Sequence, residues 1–182
     1  MSIAPGTHRL GPDDGTLSVR TGKTGAAAKA GHNLLIEVGV WSATIEAGTD
    51  PEEARMQLSA DARSLRVIEG NGGMQRLGDD DKDGIAQAID EEVLKGTEIA
   101  FRSSAVGASS DGTRLKVEGE LELAGRTKPI SFELAVAEGR LTGSATFRQS
   151  EWGMKPYAAL FGTLKVTDEV TVEIDAGLPS NF

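Results

Sequence analysis

Cysteine is absent from the sequence, which excludes disulfide bonds, thiolate catalysis and cysteine-ligated zinc. Clusters of basic residues are missing too, and a formal net charge of -9 would repel a phosphate backbone, so we expect no nucleic-acid partner. No apolar run is long enough to span a membrane, and residues 1–10 lack the apolar run of a signal peptide. These absences predict a soluble, cytoplasmic protein with no integral membrane segment.

The length of the chain, 182 residues, suits one domain with a substantial core. No repeat of fixed period and no linker divides it. We therefore expect a single domain over residues 1–182, with residues 1–14 and 178–182 as peripheral tails.

Residues 113–136 show the clearest pattern in the chain. Apolar residues and glycine alternate with charged ones, which predicts a strand with one dry and one wet face. The alternating row is Leu115, Val117, Gly119, Leu121 and Leu123. A break at residues 125–128 and Pro129 is followed by a second row, which consists of Ile130, Phe132, Leu134 and Val136. Two such strands joined by a glycine-containing turn indicate an antiparallel hairpin.

Similar rows recur along most of the chain and predict eight or nine strands. They include His32, Leu34, Ile36 and Val38; Trp41, Ala43 and Ile45; Met56, Leu58, Ala60 and Ala62; Ile99 and Phe101; and Leu141, Gly143, Ala145 and Phe147. Strand signals at residues 160–166, which include Phe161, and at residues 170–178 complete the set. Helical spacing of Ile85, Ile89 and Val93, ending at Lys95 and Gly96, predicts one helix over residues 82–95. The pattern favours an all-β antiparallel barrel of about eight strands with this helix inserted.

A barrel is favoured over a sandwich because several inward positions carry small residues where a packed sandwich would need large ones. These positions are Ala60, Ala62, Ser103, Gly119, Gly143 and Ala145. An eight-stranded barrel can be filled by its side chains or can leave room for one small ligand. Small inward residues favour an open lumen, although glycine is also needed wherever a barrel turns a tight corner.

Two polar features require an interpretation. The run from Asp79 to Gly84, with Asp90 at its twelfth position, approaches a calcium-loop pattern. It lacks the final glutamate and overlaps the predicted helix, so we interpret its carboxylates as helix caps and expect no metal site. His32 shares the inward parity of its strand and is either a hydrogen-bonded structural residue or a donor to a ligand head group. No motif for a catalytic nucleophile, a zinc protease or dinucleotide binding is present.

The chain resembles the YceI-like family of polyisoprenoid-binding proteins. The matching pieces are Gly31-His32-Asn33, residues 93–94 with 99–103, residues 119–129, and Trp152-Gly153-Met154 before a valine-rich strand. The resemblance implies a lipocalin-like antiparallel barrel that holds a long isoprenoid or similar amphiphilic chain in its lumen. Many relatives carry an export signal.

We therefore predict a non-enzymatic carrier that needs no cofactor beyond a possible bound isoprenoid or other long-chain lipid. The alternatives are an enzyme that acts on a lipid or small molecule, with His32 as acid or base, and a ligand-free structural or interaction module. The oligomeric state is open and includes a homodimer. The predicted ligand-binding residues are His32, Leu34, Ile36, Val38, Trp41, Met56, Leu58, Phe101, Leu115, Val117, Gly119, Leu121, Phe132, Leu134, Ala145, Phe147, Trp152 and Phe161. Trp152, with Met154 and Tyr157, would form either an aromatic lip over the opening or a hydrophobic plug.

Overall fold

The chain forms one long antiparallel sheet that curls on itself, as seen in a computed structural model that describes residues 4–49 and 53–178. The strands are β1 (Gly6–Leu10), β2 (Gly15–Thr24), β3 (Asn33–Val38), β4 (Trp41–Ala47), β5 (Arg55–Ala60), β6 (Leu65–Asn71), β7 (Ile99–Ala108), β8 (Arg114–Leu123), β9 (Arg126–Ala137), β10 (Arg140–Arg148), β11 (Ala158–Ala159) and β12 (Leu164–Gly177). This confirms the predicted all-β antiparallel barrel-like architecture, although the described residues form more strands than the eight or so predicted.

Eleven strands follow one path through the sheet, in the order β1-β4-β5-β7-β8-β9-β10-β12-β2-β3-β6, and β11 pairs with β12. The two ends of this path meet at a corner, because β3 runs into β4 through only Gly39 and Val40. Across the corner, the Gly39 amide donates to the Ser64 carbonyl and the Asp61 amide donates to the Val40 carbonyl, both at 3.0 Å. These bonds link the β3–β4 turn to the segment between β5 and β6, and the curled sheet surrounds a common interior.

The hairpin of residues 113–136 is present as β8 and β9. Burial alternates along the whole of β8, and its partners run from Arg114 opposite Ala135 to Leu123 opposite Arg126. β9 begins at Arg126, so the strand includes Pro129 and most of the break predicted at residues 125–128. The proline is tolerated there because β10 pairs only with residues 133–137 of β9, which leaves one side of the earlier residues without a partner strand.

The helix begins earlier than predicted. In the described part of the chain, α1 spans Asp79–Ala88 and continues as a π-helical segment over Ile89–Leu94, where residues 82–95 were expected. Three aspartates occupy the first turn, and the Asp81 carboxylate accepts from the Gly78 amide at 3.0 Å. Carboxylates stabilise the first turn of a helix because the free amides and the helix dipole are positive there. Contacts with β6 hold α1 against the sheet.

Three strands were not predicted. Residues 1–14 were expected to be a tail, but Gly6–Leu10 forms β1, which pairs with β4 and buries Leu10. The alternation of β6 is short and was missed, as was the two-residue β11. Conversely, the two strands predicted at residues 160–166 and 170–178 form a single strand, β12. The register of its pairing with β2 shifts between Val166 and Val170. The rest of the predicted C-terminal tail after Leu178 lies outside the described residues.

The interior is divided into two regions. At one end the apolar rows of β7, β8 and β9 meet without a gap, and this packed end consists of Val106, Leu115, Val117 and Val136. Val117 has no exposed surface at all. At the other end the strands and α1 surround a cavity. Among residues 4–49 and 53–178, no helix combines the length and apolar character needed to cross a bilayer.

Candidate functional site

A cavity of about 690 Å³ occupies the end of the interior next to α1. Its walls are formed by the inward faces of strands β2 to β5, β7 to β10 and β12, together with Ile85, Ile89 and Val93 on the helix. Most of the lining side chains are aliphatic or aromatic, so a water molecule inside would find few hydrogen-bond partners. Such a space is chemically suited to an apolar molecule.

Twelve of the eighteen residues predicted to bind a ligand lie together in the lining of this cavity. They are His32, Leu34, Ile36, Val38, Met56, Leu58, Phe101, Leu121, Phe132, Leu134, Ala145 and Phe147. They share a face because each strand alternates its side chains between the interior and the solvent.

The remaining six do not line the cavity. Leu115 and Val117 belong to the packed end, and Trp41 is buried at the β3–β4 corner. Phe161 was expected inside but lies at the tip of a hairpin with its side chain fully exposed. The Phe101 ring covers Gly119, and Trp152 lies behind the lining residue Phe147.

Gly119 leaves no room for a ligand. A Cβ atom on this residue would lie 2.3 Å from the Arg102 carbonyl oxygen and 2.7 Å from two ring carbons of Phe101. The aromatic ring already occupies the space that the glycine leaves. The expectation that Gly119 widens the lumen is therefore corrected, whereas Ala145 on β10 does face the cavity.

Trp152 supports the wall from behind. Its ring is 1% exposed, and its Nε1–H donates to the Leu121 carbonyl at 2.8 Å. The ring centroid lies 4.9 Å from that of Phe147, whose side chain lines the cavity. Trp152 thus fixes a lining residue and is not the lip that was considered. Met154 is buried in the lining, and Tyr157 stands half in solvent at the opening.

The turn that contains Trp152 is fastened by Asp168. Its carboxylate accepts from the Ser150 hydroxyl at 2.5 Å and from the Ser150 amide at 2.8 Å, which lowers the pKa of Asp168 below its usual value. The neighbouring Gln149 is buried, lines the cavity, and donates to the Thr167 carbonyl at 3.0 Å. These bonds hold residues 149–152 against β12.

Polar groups gather where the cavity opens, a region we call the mouth, formed by residues 21–32, 70–78 and 155–166. The His32 ring donates from Nε2 to the Gln75 carbonyl at 2.6 Å, and a Cβ on Gly73 would touch the same ring. The Lys23 ammonium donates to the carbonyls of Gly31, at 2.6 Å, and Gly72. His32 and Lys23 therefore hold residues 70–78 beside the opening. The hydrogen bond of His32 is a structural one.

Sequence reasoning missed Thr21. This residue on β2 lines the cavity, and its buried hydroxyl has no hydrogen-bond partner within the described part of the chain. A buried hydroxyl without a partner is unfavourable, so a polar group of a ligand would find a ready partner here. The alternating row Leu17, Val19 and Thr21 was the available signal, since it continues the inward face to this position.

The residues that the structure describes contain no group of three or more histidine, aspartate or glutamate side chains arranged to hold a metal ion. The carboxylates of the first turn of α1 point to helix capping, as the bond from Gly78 to Asp81 shows.

Comparisons with known proteins agree with this architecture. The chain superposes on BcnA from Burkholderia cenocepacia with a TM-score of 0.59 at 18% sequence identity, over 87% of this chain and 94% of that one. It also superposes on the YCEI protein of Campylobacter jejuni with a TM-score of 0.56 at 15% identity, over 80% of this chain and 84% of that one. A search of the curated proteins found no match. The model of the YceI-like domain matches residues 16–178, and the chain therefore belongs to the YceI-like family.

Proposed function

We propose that the protein is a carrier that holds a long isoprenoid or similar amphiphilic lipid in the cavity. The observation that supports this most is the apolar cavity of about 690 Å³ inside the sheet. Sites for small molecules span roughly 300–1,000 Å³ and are mostly apolar with a few polar groups. Family membership supports the same proposal, because the YceI-like fold is generally associated with binding and not with catalysis.

Affinity would come from the removal of the apolar chain from water, worth ~25 cal/mol per Å² of buried surface. Thr21, inside the wall, and Lys23, at the mouth, are placed to contact a polar head group. A role for His32 as acid or base has less support, since its Nε2 is already bonded to the Gln75 carbonyl.

Mass spectrometry of an organic extract of gently purified protein tests the proposal directly. We expect a long-chain lipid that co-purifies in stoichiometric amount. Protein that yields no lipid and takes up no long-chain fluorescent analogue would overturn the carrier function.

The variant Ala145→Trp tests whether the cavity is the site. The indole would fill space that the ligand needs, so we expect uptake of the fluorescent analogue to fall by about tenfold or more while the melting temperature stays close to the native value. Ala135→Trp is the matched control, because Ala135 lies exposed on the outer face of β9. Equal uptake by both variants would place binding elsewhere.

A further inference from the structure

A hairpin at the mouth exposes apolar side chains that the fold does not bury. β11 pairs with the first residues of β12, Ala158 opposite Lys165 and Ala159 opposite Leu164, so residues 160–163 form the tip. Phe161 at this tip is fully exposed, and Leu160 beside it is 55% exposed. We call residues 155–166 the mouth hairpin.

The backbone of the tip is unfavourable for these residues. Leu160 and Phe161 have φ angles of 50° and 54°, in the left-handed region, which is energetically costly for a residue with a Cβ. Neither residue recovers that cost by burial. Strained residues of this kind tend to occur at functional sites.

The tip is nevertheless held firmly. The Thr163 hydroxyl donates to the Leu160 carbonyl at 2.6 Å, and the Thr163 carbonyl accepts from the Ala27 amide at 2.9 Å. Leu164 packs directly on Gly31, where a Cβ would lie 2.5 Å from a leucine methyl carbon. The hydrophobic side chains are thus presented outward by a fixed support.

The mouth hairpin is continuous with the cavity. Tyr157, Ala159, Leu164 and Lys165 all line the opening. Whatever contacts the tip therefore lies beside the entrance.

Charge in the segments around the mouth hairpin is opposite to that of the whole chain. Residues 21–36 and 152–167 contain no aspartate or glutamate, although the chain has 28 of them and a net charge of -9. They carry four lysines: Lys23, Lys29, Lys155 and Lys165. Asp80 and Asp81, in the first turn of α1, also line the cavity, but on the side of β6, which β2 and β3 separate from β12 in the sheet order. A second copy of the chain would bring the same lysines against each other, whereas an anionic surface would attract them.

We propose that the mouth hairpin docks on an anionic lipid bilayer. Phe161 and Leu160 enter the interface between head groups and acyl chains, and the lysines contact the anionic head groups. Docking in this orientation places the mouth against the bilayer. Transfer of a lipid between bilayer and cavity would follow only if the carrier function is correct, but the docking itself does not depend on it.

Vesicle co-sedimentation tests docking without any ligand. We expect the protein to bind vesicles of equal parts phosphatidylcholine and phosphatidylglycerol, and to bind pure phosphatidylcholine vesicles at least about tenfold more weakly. Phe161→Ser should weaken binding by about tenfold or more at an unchanged melting temperature. Its control is Val40→Ser, since Val40 is also an exposed apolar residue, at 59%, but lies at the β3–β4 corner.

The charge contribution is measured with Lys155→Glu/Lys165→Glu, which should abolish the preference for anionic vesicles. Arg9→Glu/Arg102→Glu makes the same change of charge on the outer faces of β1 and β7 and should retain that preference.

Native protein that stays in the supernatant, or Phe161→Ser protein that sediments like the native one, overturns the proposal. The proposal is also overturned if the native protein is a dimer that does not bind vesicles and the Phe161→Ser variant is a monomer. Because no lipid uptake is measured, failure here leaves the result of the extraction experiment unaffected.

Discussion

The packed end and the cavity end of the sheet are built from the same strands and the same alternation. Along β8, Leu115 and Val117 are inward and closely packed, while Leu121, four residues beyond Val117 on the same face, borders a cavity. On β9 the change occurs between Val136 and Leu134. A single strand thus contributes to a solid core at one end and to an open wall at the other.

The difference lies in what faces the row from across the interior. At the packed end, side chains of neighbouring strands lie against one another, as Val106 on β7 does beside Val117 on β8, and neither residue borders the cavity. At the cavity end, α1 contacts β6 at the edge of the sheet, and Ile85 and Ile89 form the opposite wall. The helix covers this end of the interior without filling it, so space remains between α1 and the strands.

The largest effect should come from truncation at the packed end. Leu115→Ala should lower the free energy of unfolding by about 2–5 kcal/mol, because it creates a void among residues that are in contact. Leu34→Ala should cost less, because Leu34 is only partly buried and already borders the cavity. Urea unfolding measures both. Equal losses would mean that the two ends are equally well packed.

A second pair of variants examines glycine within the sheet. Gly119→Ala should cost about 1–3 kcal/mol, since its Cβ would overlap the Arg102 carbonyl and the Phe101 ring. Gly107→Ala on the neighbouring strand is the control, because no atom lies within 4 Å of the Cβ it would gain. Thermal unfolding should show a lower midpoint for the first variant alone. An unchanged midpoint in Gly119→Ala would indicate a looser contact with Phe101.

The smallest effect concerns the loop that closes the packed end. Asp111 accepts hydrogen bonds from Ser109 and Thr113, which lowers its pKa from 3.8 to about 2. A lowered pKa contributes stability above pH 3.8, and this contribution is lost as the pH falls through 2. Asp111→Asn should therefore flatten the dependence of stability on pH over this interval. Melting curves across the interval measure it, and parallel profiles for variant and native protein would contradict it.

The sequence predicted which side chains point inward, because a strand permits only two orientations and the charged positions identify the wet face. It could not separate Val117 from Leu121, since both occupy the same row and differ only in what lies opposite. The role of Gly119 was misjudged for the same reason, because the ring of Phe101 comes from another strand. Phe161 had a strand pattern around it, but two successive left-handed residues turn it outward. Short strands such as β1 and β11 offer too few alternating positions to be recognised.

The pairing of β2 with β12 has a consequence for the order of folding. The Arg20 side chain bonds to Glu173, 153 residues further along the chain, and the two strands match from Gly15 to Thr24. During synthesis β2 therefore emerges long before its second partner, and until then one edge of it is unpaired. Chains with such distant pairings fold slowly, and exposed edges invite association with other chains. Closure of the sheet is thus a late event, and a nascent chain released before β12 would lack both a finished wall and a protected edge.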